Sequence, residues 1–233
     1  MDLSQVEASP ASEILSWAVE TFGDSFAIAT SFQKESMVVV DLVSRLTPHP
    51  RVFTLDTGRL PEETYHMMDT LRERYGVALE LVFPDRQEVE RMTLQYGPNL
   101  FLDSVERREM CCEIRKVRPL ERKLKELRAW ATGLRREQAE TRTDVPKVEA
   151  VDGRMKISPL ADWTEAQVDQ YVHDHDVPLH PLYAQGYASI GCAPCTRPIL
   201  PGEPQRAGRW WWEQDGKKEC GIHFALDGTV RRA

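Results

Sequence analysis

Residues 25–36 read Ser25-Phe26-Ala27-Ile28-Ala29-Thr30-Ser31-Phe32-Gln33-Lys34-Glu35-Ser36, followed by the apolar-rich run Met37 to Leu46. Ser25 to Ala29 has the length and apolarity of a buried strand, Thr30 to Ser36 of a loop, and Met37 to Leu46 of a helix. Upstream, Ser9-Pro10 predicts a helix start, with Ser9 as N-cap and Pro10 in the first helical position. Ile14, Leu15, Ala18, Val19 and Phe22 share one face of that helix, and Gly23 closes it. Downstream, Arg51 to Leu55 predicts a second strand ending in Leu55-Asp56-Thr57-Gly58. A helix from Pro61 to about Arg74, stopped by Gly76, leads into a third strand from Val77 to Phe83. Strand, loop and helix in repetition predict an α/β fold with a parallel sheet and right-handed crossovers. Ligands in such sheets bind beyond the carboxyl ends of the strands, so Ser31 to Ser36 and Asp56 to Gly58 are expected on one rim.

Further along, Asp85 to Glu126 is expected to be mostly helical. Ala129 to Gly133 predicts a strand running into a loop that carries Arg135, Arg136 and Arg142. Lys147 to Ile157 predicts two short strands around Asp152-Gly153. Thr164 and Gln167 form a capping box for a helix to about His175. After Pro178, proline and glycine recur too often for long elements. No internal repeat and no clear domain boundary is visible.

Across 233 residues, 41% are hydrophobic and the formal net charge is −7. This suits a globular chain with a sizeable core and lacks the basic footprint of a nucleic-acid binder. Local basic clusters remain at Arg115 to Arg122, Arg135-Arg136 and Arg206 to Arg209. No run has the apolar length of a membrane span, and Met1-Asp2-Leu3-Ser4-Gln5 lacks the apolar core of a signal peptide. The expectation is a cytoplasmic protein, in which five cysteines point to metal or catalysis rather than disulfides.

Four of the five form two pairs: Cys111-Cys112, and Cys192 with Cys195 in Gly191-Cys192-Ala193-Pro194-Cys195. Neighbouring Cα atoms are only about 3.8 Å apart and their side chains diverge on a helix. Two such thiolates converge poorly on one tetrahedral zinc, which prefers ligands two to four residues apart. A cubane iron–sulfur cluster offers four separate irons, so adjacent cysteines can each take their own. A 4Fe–4S cluster on Cys111, Cys112, Cys192 and Cys195 is therefore favoured over a zinc-stapled binding module.

Cys220 is left over. It is either a spare thiol on a terminal segment or a nucleophile whose thiolate is favoured by Lys217, Lys218 and His223. Ser31 to Ser36 occupies the Ser-Gly-Gly-x-Asp-Ser frame of pyrophosphate-loop enzymes, with Phe32 and Gln33 replacing both glycines. An ordinary strand–loop–helix turn accounts for it equally well, and close backbone approach to a pyrophosphate is in question without glycine. Arg206 and Arg209, by themselves, read as a solvated basic turn. Trp210-Trp211-Trp212 reads as packing, and the histidines other than His223 show no ligand spacing matched to the cysteines.

Five motifs together carry a resemblance: Leu55-Asp56-Thr57-Gly58; Cys111-Cys112-x-Ile114-Arg115-Lys116-x-Arg118-Pro119-Leu120; Trp130-x-Thr132-Gly133-x-Arg135-Arg136-x-Gln138; Ile190-Gly191-Cys192-x-Pro194-Cys195-Thr196-Arg197-Pro198; and Glu219-Cys220-Gly221-x-His223. The chain resembles the cluster-containing, assimilatory adenylylsulfate reductases. The resemblance implies a Rossmann-like parallel sheet flanked by helices, as in pyrophosphate-loop adenine nucleotide hydrolases. It implies reduction of adenylylsulfate to sulfite and AMP, with thioredoxin as electron donor, in assimilatory sulfate reduction and cysteine biosynthesis. Cys220 would be the nucleophile, Arg206 and Arg209 an anion-binding pair, and Lys116 the lysine between cluster and substrate. Ser31, Leu55, Gly133, Arg142 and His223 would contact the nucleotide. One 4Fe–4S cluster, without flavin or nicotinamide, would tune the site electrostatically. The implied organisation is a nucleotide-binding reductase domain over residues 1–205 and a mobile C-terminal tail over 206–233 carrying Cys220. A homo-oligomer is left open. A phosphoadenylylsulfate reductase shares this fold and tail cysteine but typically lacks the four cluster cysteines. A cluster-bearing tRNA-thiolating enzyme would need a glycine loop for ATP and a basic RNA surface.

Overall fold

The computed structural model describes residues 6–139 and 142–213. A six-stranded, parallel-dominated sheet with the order β3-β2-β1-β4-β6-β5 is flanked by helices. The strands are β1 (Phe26–Ala29), β2 (Val52–Leu55), β3 (Leu79–Val82), β4 (Ala129–Ala131), β5 (Val148–Val151) and β6 (Arg154–Ile157). β1 pairs in parallel with β2 and β4, and β4 in parallel with β6. β5 runs antiparallel to β6 at the edge. That reversal follows from the Asp152-Gly153 turn, where both residues have positive φ (50° and 72°), the conformation a two-residue hairpin needs.

The helices are α1 (Ala11–Phe22), α2 (Lys34–Ser44), α3 (Glu62–Tyr75), α4 (Arg86–Tyr96), α5 (Val105–Cys112), α6 (Arg118–Leu124) and α7 (Glu165–Asp174). Thr164 and Gln167 form the expected capping box on α7. Two helix starts differ from expectation for a visible reason. Pro10 is the N-cap of α1, not its first helical residue, because its ψ of 155° is extended while its carbonyl accepts from Glu13 and Ile14. α2 begins at Lys34, three residues early, because the Gln33 carbonyl accepts from Met37 N–H and draws Lys34 to Ser36 into the first turn.

Two compact units divide the chain. The first takes the chain up to Thr54, then Glu62–Glu80 and Glu126–Pro181; the second takes Leu55–Pro61, Leu81–Lys125 and the chain from Leu182. Each unit is assembled from three separated pieces, which is why no boundary is visible along the sequence. In the first, α1 and α2 pack on β1 and α7 packs on α2. The core there is aliphatic, with Ile14, Leu15, Ile28, Met37 and Val38 essentially sealed from solvent. In the second, the core gathers Met92, Leu100, Phe101, Ile114 and Trp210 around all four paired cysteines. Among the described residues no helix is long and apolar enough to cross a membrane.

Candidate active site

In the second unit, Ser104 caps α5 by accepting from Arg107 N–H. The helix then runs through a π-helical turn, Glu113–Val117, into α6. Arg108, Cys111, Cys112 and Arg115 recur along it at the three- and four-residue spacings that put side chains on one face. Facing them is a 3₁₀ turn, Ala193–Cys195, closed by Cys195 N–H donating to the Cys192 carbonyl at 2.9 Å. All four thiols are buried and line one cavity with Arg59, Phe101, Arg108, Arg115, Lys116 and Trp210.

The turn after β2 braces this cavity. Asp56 Oδ1 accepts from Gly58 N–H at 2.8 Å, which shapes the turn. The Thr57 hydroxyl is in hydrogen-bond contact with Cys192 Sγ at 3.2 Å, and its carbonyl accepts from Arg115 Nη1 at 2.7 Å. The Arg59 carbonyl accepts from Ala193 N–H at 2.8 Å, and its guanidinium stacks 5.0 Å from the Phe101 ring centre. Leu55, at the end of β2, leads directly into this turn.

The thiols are electrostatically unlike. Burial raises Cys111, against the pull of Arg115. Burial and the neighbouring Cys192 push Cys195 up to about 11. Burial would raise Cys192 too, but Lys116, the Thr57 hydroxyl and Arg209 more than offset it and hold this thiol below its ordinary value. Arg115 Nε, Arg209 Nε and Trp210 Nε1 are buried with no hydrogen-bond partner among the described residues. A buried donor left without an acceptor is costly, so a site with several such N–H groups suits an electron-rich, thiolate-bound group. The four sulfurs are the side chains available to hold one. Among the described residues no set of three or more His, Cys, Asp or Glu side chains is arranged to hold a metal ion.

Arg209 is not a solvated basic residue. It is 5% exposed, donates to Ser189 Oγ and the Ile190 carbonyl, and lies 4.8 Å from the Trp210 ring centre. A Cβ on Gly191 would fall 2.4 Å from its guanidinium, so a side chain there would force the arginine to shift. Arg206 is half-buried, and its carbonyl accepts from Arg209 N–H.

In the first unit, Ser31 is exposed at the head of the loop before α2. Phe32 adopts a left-handed φ of 57° with its side chain fully buried, taking a conformation that glycine adopts freely. Burial of the ring compensates a backbone cost of about 1–2 kcal/mol. Ser36 Oγ accepts from Ser31 N–H, and Thr30 Oγ1 accepts from Phe32 N–H. Lys34 turns to Glu165 and Asp169 on α7, at 2.6 and 2.7 Å. Gly133 packs so tightly that a Cβ would lie 2.6 Å from Ser36 N. The fully buried Arg135 holds the two segments together by donating from Nε and Nη2 to Glu35 Oε1. Gln138 Nε2 donates to the Gly133 carbonyl, and Arg142 Nη1 to Gln138 Oε1 at 2.7 Å. Ser31, Gly133 and Arg142 thus belong to one interconnected loop cluster. Cys220 and His223 lie outside the described residues.

The phosphoadenosine phosphosulfate reductase domain matches residues 25–198. This chain belongs to that family. Among its reductase relatives, the adenosine 5'-phosphosulfate reductase of Burkholderia cepacia is 48% identical over 86% of this chain and 81% of that protein. The enzyme of the same name from Allochromatium vinosum is also 48% identical, over 86% and 79%. A crystal structure of phosphoadenylyl-sulfate (PAPS) reductase from Candida auris, a phosphate complex, superposes with a TM-score of 0.71 at 28% identity, over 84% of this chain and 94% of that one.

For a phosphoadenosine phosphosulfate reductase family member, sequence reasoning omitted five of the cavity's ten lining residues: Arg59, Phe101, Arg108, Arg115 and Trp210. Arg108 was discoverable, since it precedes Cys111 and Cys112 by three and four positions on one helix. Trp210 read correctly as packing, but nothing local says what it packs on.

Proposed function

We propose that this protein reduces adenylylsulfate to sulfite and AMP in sulfate assimilation, with a thioredoxin dithiol as reductant. The 48% identity to adenosine 5'-phosphosulfate reductases over most of the chain supports the reaction. The cavity lined by all four paired cysteines and by arginine, lysine and indole groups supports a 4Fe–4S cluster as resident group. Cys111, Cys112, Cys192 and Cys195 would hold it, and when bound it would cross-link the two cysteine segments and add charge beside Lys116.

The Cys220 thiolate attacks the sulfur of adenylylsulfate, the S–O bond to the nucleotide phosphate breaks, and AMP leaves with that electron pair. Cys220 then carries an S-sulfonate. A thioredoxin thiolate attacks Cys220 Sγ, sulfite departs with the S–S pair, and the second thioredoxin thiol resolves the mixed disulfide. Thioredoxin supplies both electrons. Lys116 and Arg206 would supply positive charge to the anionic substrate, and Ser31, Leu55, Gly133, Arg142 and His223 would contact the nucleotide. Arg209, which donates to Ser189 and Ile190, completes the anion-binding pair with Arg206.

Incubation with adenylylsulfate in the absence of thioredoxin should release one equivalent of AMP and add a sulfonate mass to the Cys220 peptide. Cys220→Ser should bind nucleotide and release none. Sulfite production by that variant at a comparable rate, or a sulfonate on another residue, would overturn the reading.

A further inference from the structure

The segment that leads into α1 is fastened to the loop between β4 and β5. Glu7 Oε1 accepts from Lys147 N–H at 2.6 Å, and Oε2 accepts from Arg136 Nη2 at 2.7 Å. Lys147 returns the contact from a buried position. Its Nζ donates to the Ser9 carbonyl at 2.9 Å and pairs with Asp162 at 2.7 Å. Val6, next to Glu7 in the chain, is sealed from solvent.

Arg136 and Lys147 are the two ends of that loop. Arg136 opens the 3₁₀ turn Arg136–Gln138, and its N–H donates to the Ala161 carbonyl. Lys147 directly precedes β5, and its carbonyl accepts from Ser158 N–H. Arg136 Nε also reaches the Val145 carbonyl at 2.9 Å. One carboxylate therefore takes a donor from each arm and closes the neck between them. Arg142 lies between the arms and is tied to both. Its N–H donates to the Ala139 carbonyl and its Nη1 to Gln138 Oε1, while its carbonyl accepts from Val145 N–H.

A carboxylate suits this place because it only accepts, and its two oxygens can take a backbone N–H and a guanidinium at once. The Glu7 and Arg136 side chains are 47% and 33% exposed, so the pair adds little to global stability. Its effect is local, since closing the ends of a loop limits what the residues between can do. The matched family domain begins at residue 25, which leaves Glu7 outside it. We propose that Glu7 is a positioning residue for nucleotide binding. By clasping Arg136 and the Lys147 N–H, it holds the β4–β5 loop in the form that presents Arg142. The inference rests on the assignment of Arg142 as a nucleotide contact, and one arm of its test does not.

Two variants serve: Glu7→Ala, which removes both acceptors, and Glu7→Gln, which keeps an acceptor for Lys147 N–H and loses the charge facing Arg136. Anaerobically purified protein is titrated with AMP by calorimetry and followed by hydrogen exchange on peptides covering residues 142–147 and, as a control, 62–75. In Glu7→Ala, exchange over 142–147 should quicken about threefold, and AMP affinity and the KM for adenylylsulfate should weaken about threefold, the size expected of a part-exposed pair. Exchange over 62–75 and kcat should stay at the parent's values, with Glu7→Gln intermediate throughout. Parental exchange over 142–147 in Glu7→Ala would overturn the proposal. So would equal acceleration over 62–75, which would assign Glu7 to overall stability, or quickened exchange with parental AMP affinity. Arg142→Ala that binds AMP as tightly as the parent would overturn the reading of Arg142, while exchange still decides the clasp.

Discussion

The Thr57 hydroxyl and the Cys192 thiol are in hydrogen-bond contact, oxygen to sulfur at 3.2 Å, although 135 residues separate them. The same hydroxyl accepts from Arg59 N–H. One side chain thus shapes the turn after β2 and fastens it to the Cys-x-x-Cys segment. Thr57→Val should lower stability by about 0.5–1.5 kcal/mol per bond lost. It should also speed iron release to a chelator, followed by absorbance. Unchanged release and an unchanged urea midpoint would refute this role.

Anaerobically purified protein should be brown, with about four irons and four sulfides per chain. Cys112→Ser or Cys195→Ser should remove the colour and lower the thermal midpoint, since each frees one of the two cysteine segments. A colourless, fully active protein containing zinc would contradict the cluster.

Gly133→Ala places a methyl group 2.6 Å from Ser36 N and 2.8 Å from the Glu35 carbonyl carbon. Backbone atoms at the start of a helix cannot step aside as a side-chain tip can. The expected cost is about 1–3 kcal/mol, as for overpacking elsewhere. Nucleotide affinity, read by calorimetry, should fall because the loop from Ser31 to Ser36 must shift.

His180 is 1% exposed and hydrogen-bonded to Thr64 Oγ1 at 3.0 Å, and burial holds its pKa below the ordinary value. The unfolded chain therefore binds a proton before the folded one does as pH falls. Its contribution to stability is complete above about pH 6.5 and is lost as pH drops from there through the lower folded pKa. Denaturant midpoints measured from pH 7.5 down to 5 should decline, and His180→Gln should flatten that part of the curve.

Much of the frame was legible because its causes are local. The Asp152-Gly153 hairpin follows from two residues that tolerate positive φ, and α7 from a Thr–Gln capping box contained within four positions. Misplaced ends had local causes too: α2 starts early because one carbonyl, that of Gln33, finds a helical partner. The expectation of a cluster rests on the Cys-Cys and Cys-x-x-Cys spacings for the same reason, since neighbouring Cα positions are tied by covalent geometry.

What the sequence by itself determined is the order of strand, loop and helix, their caps and turns, and the two pairs in which four of the thiols fall. The tertiary structure alone decided which charges are buried and with whom. Arg135 is sealed against Glu35 from a hundred residues away, and Arg108 against Glu213 from 105. Arg209, which reads as a solvated turn residue, is enclosed in space that Gly191 leaves open. Local propensity reaches only a few residues along the chain, whereas desolvation and pairing depend on what folding brings alongside.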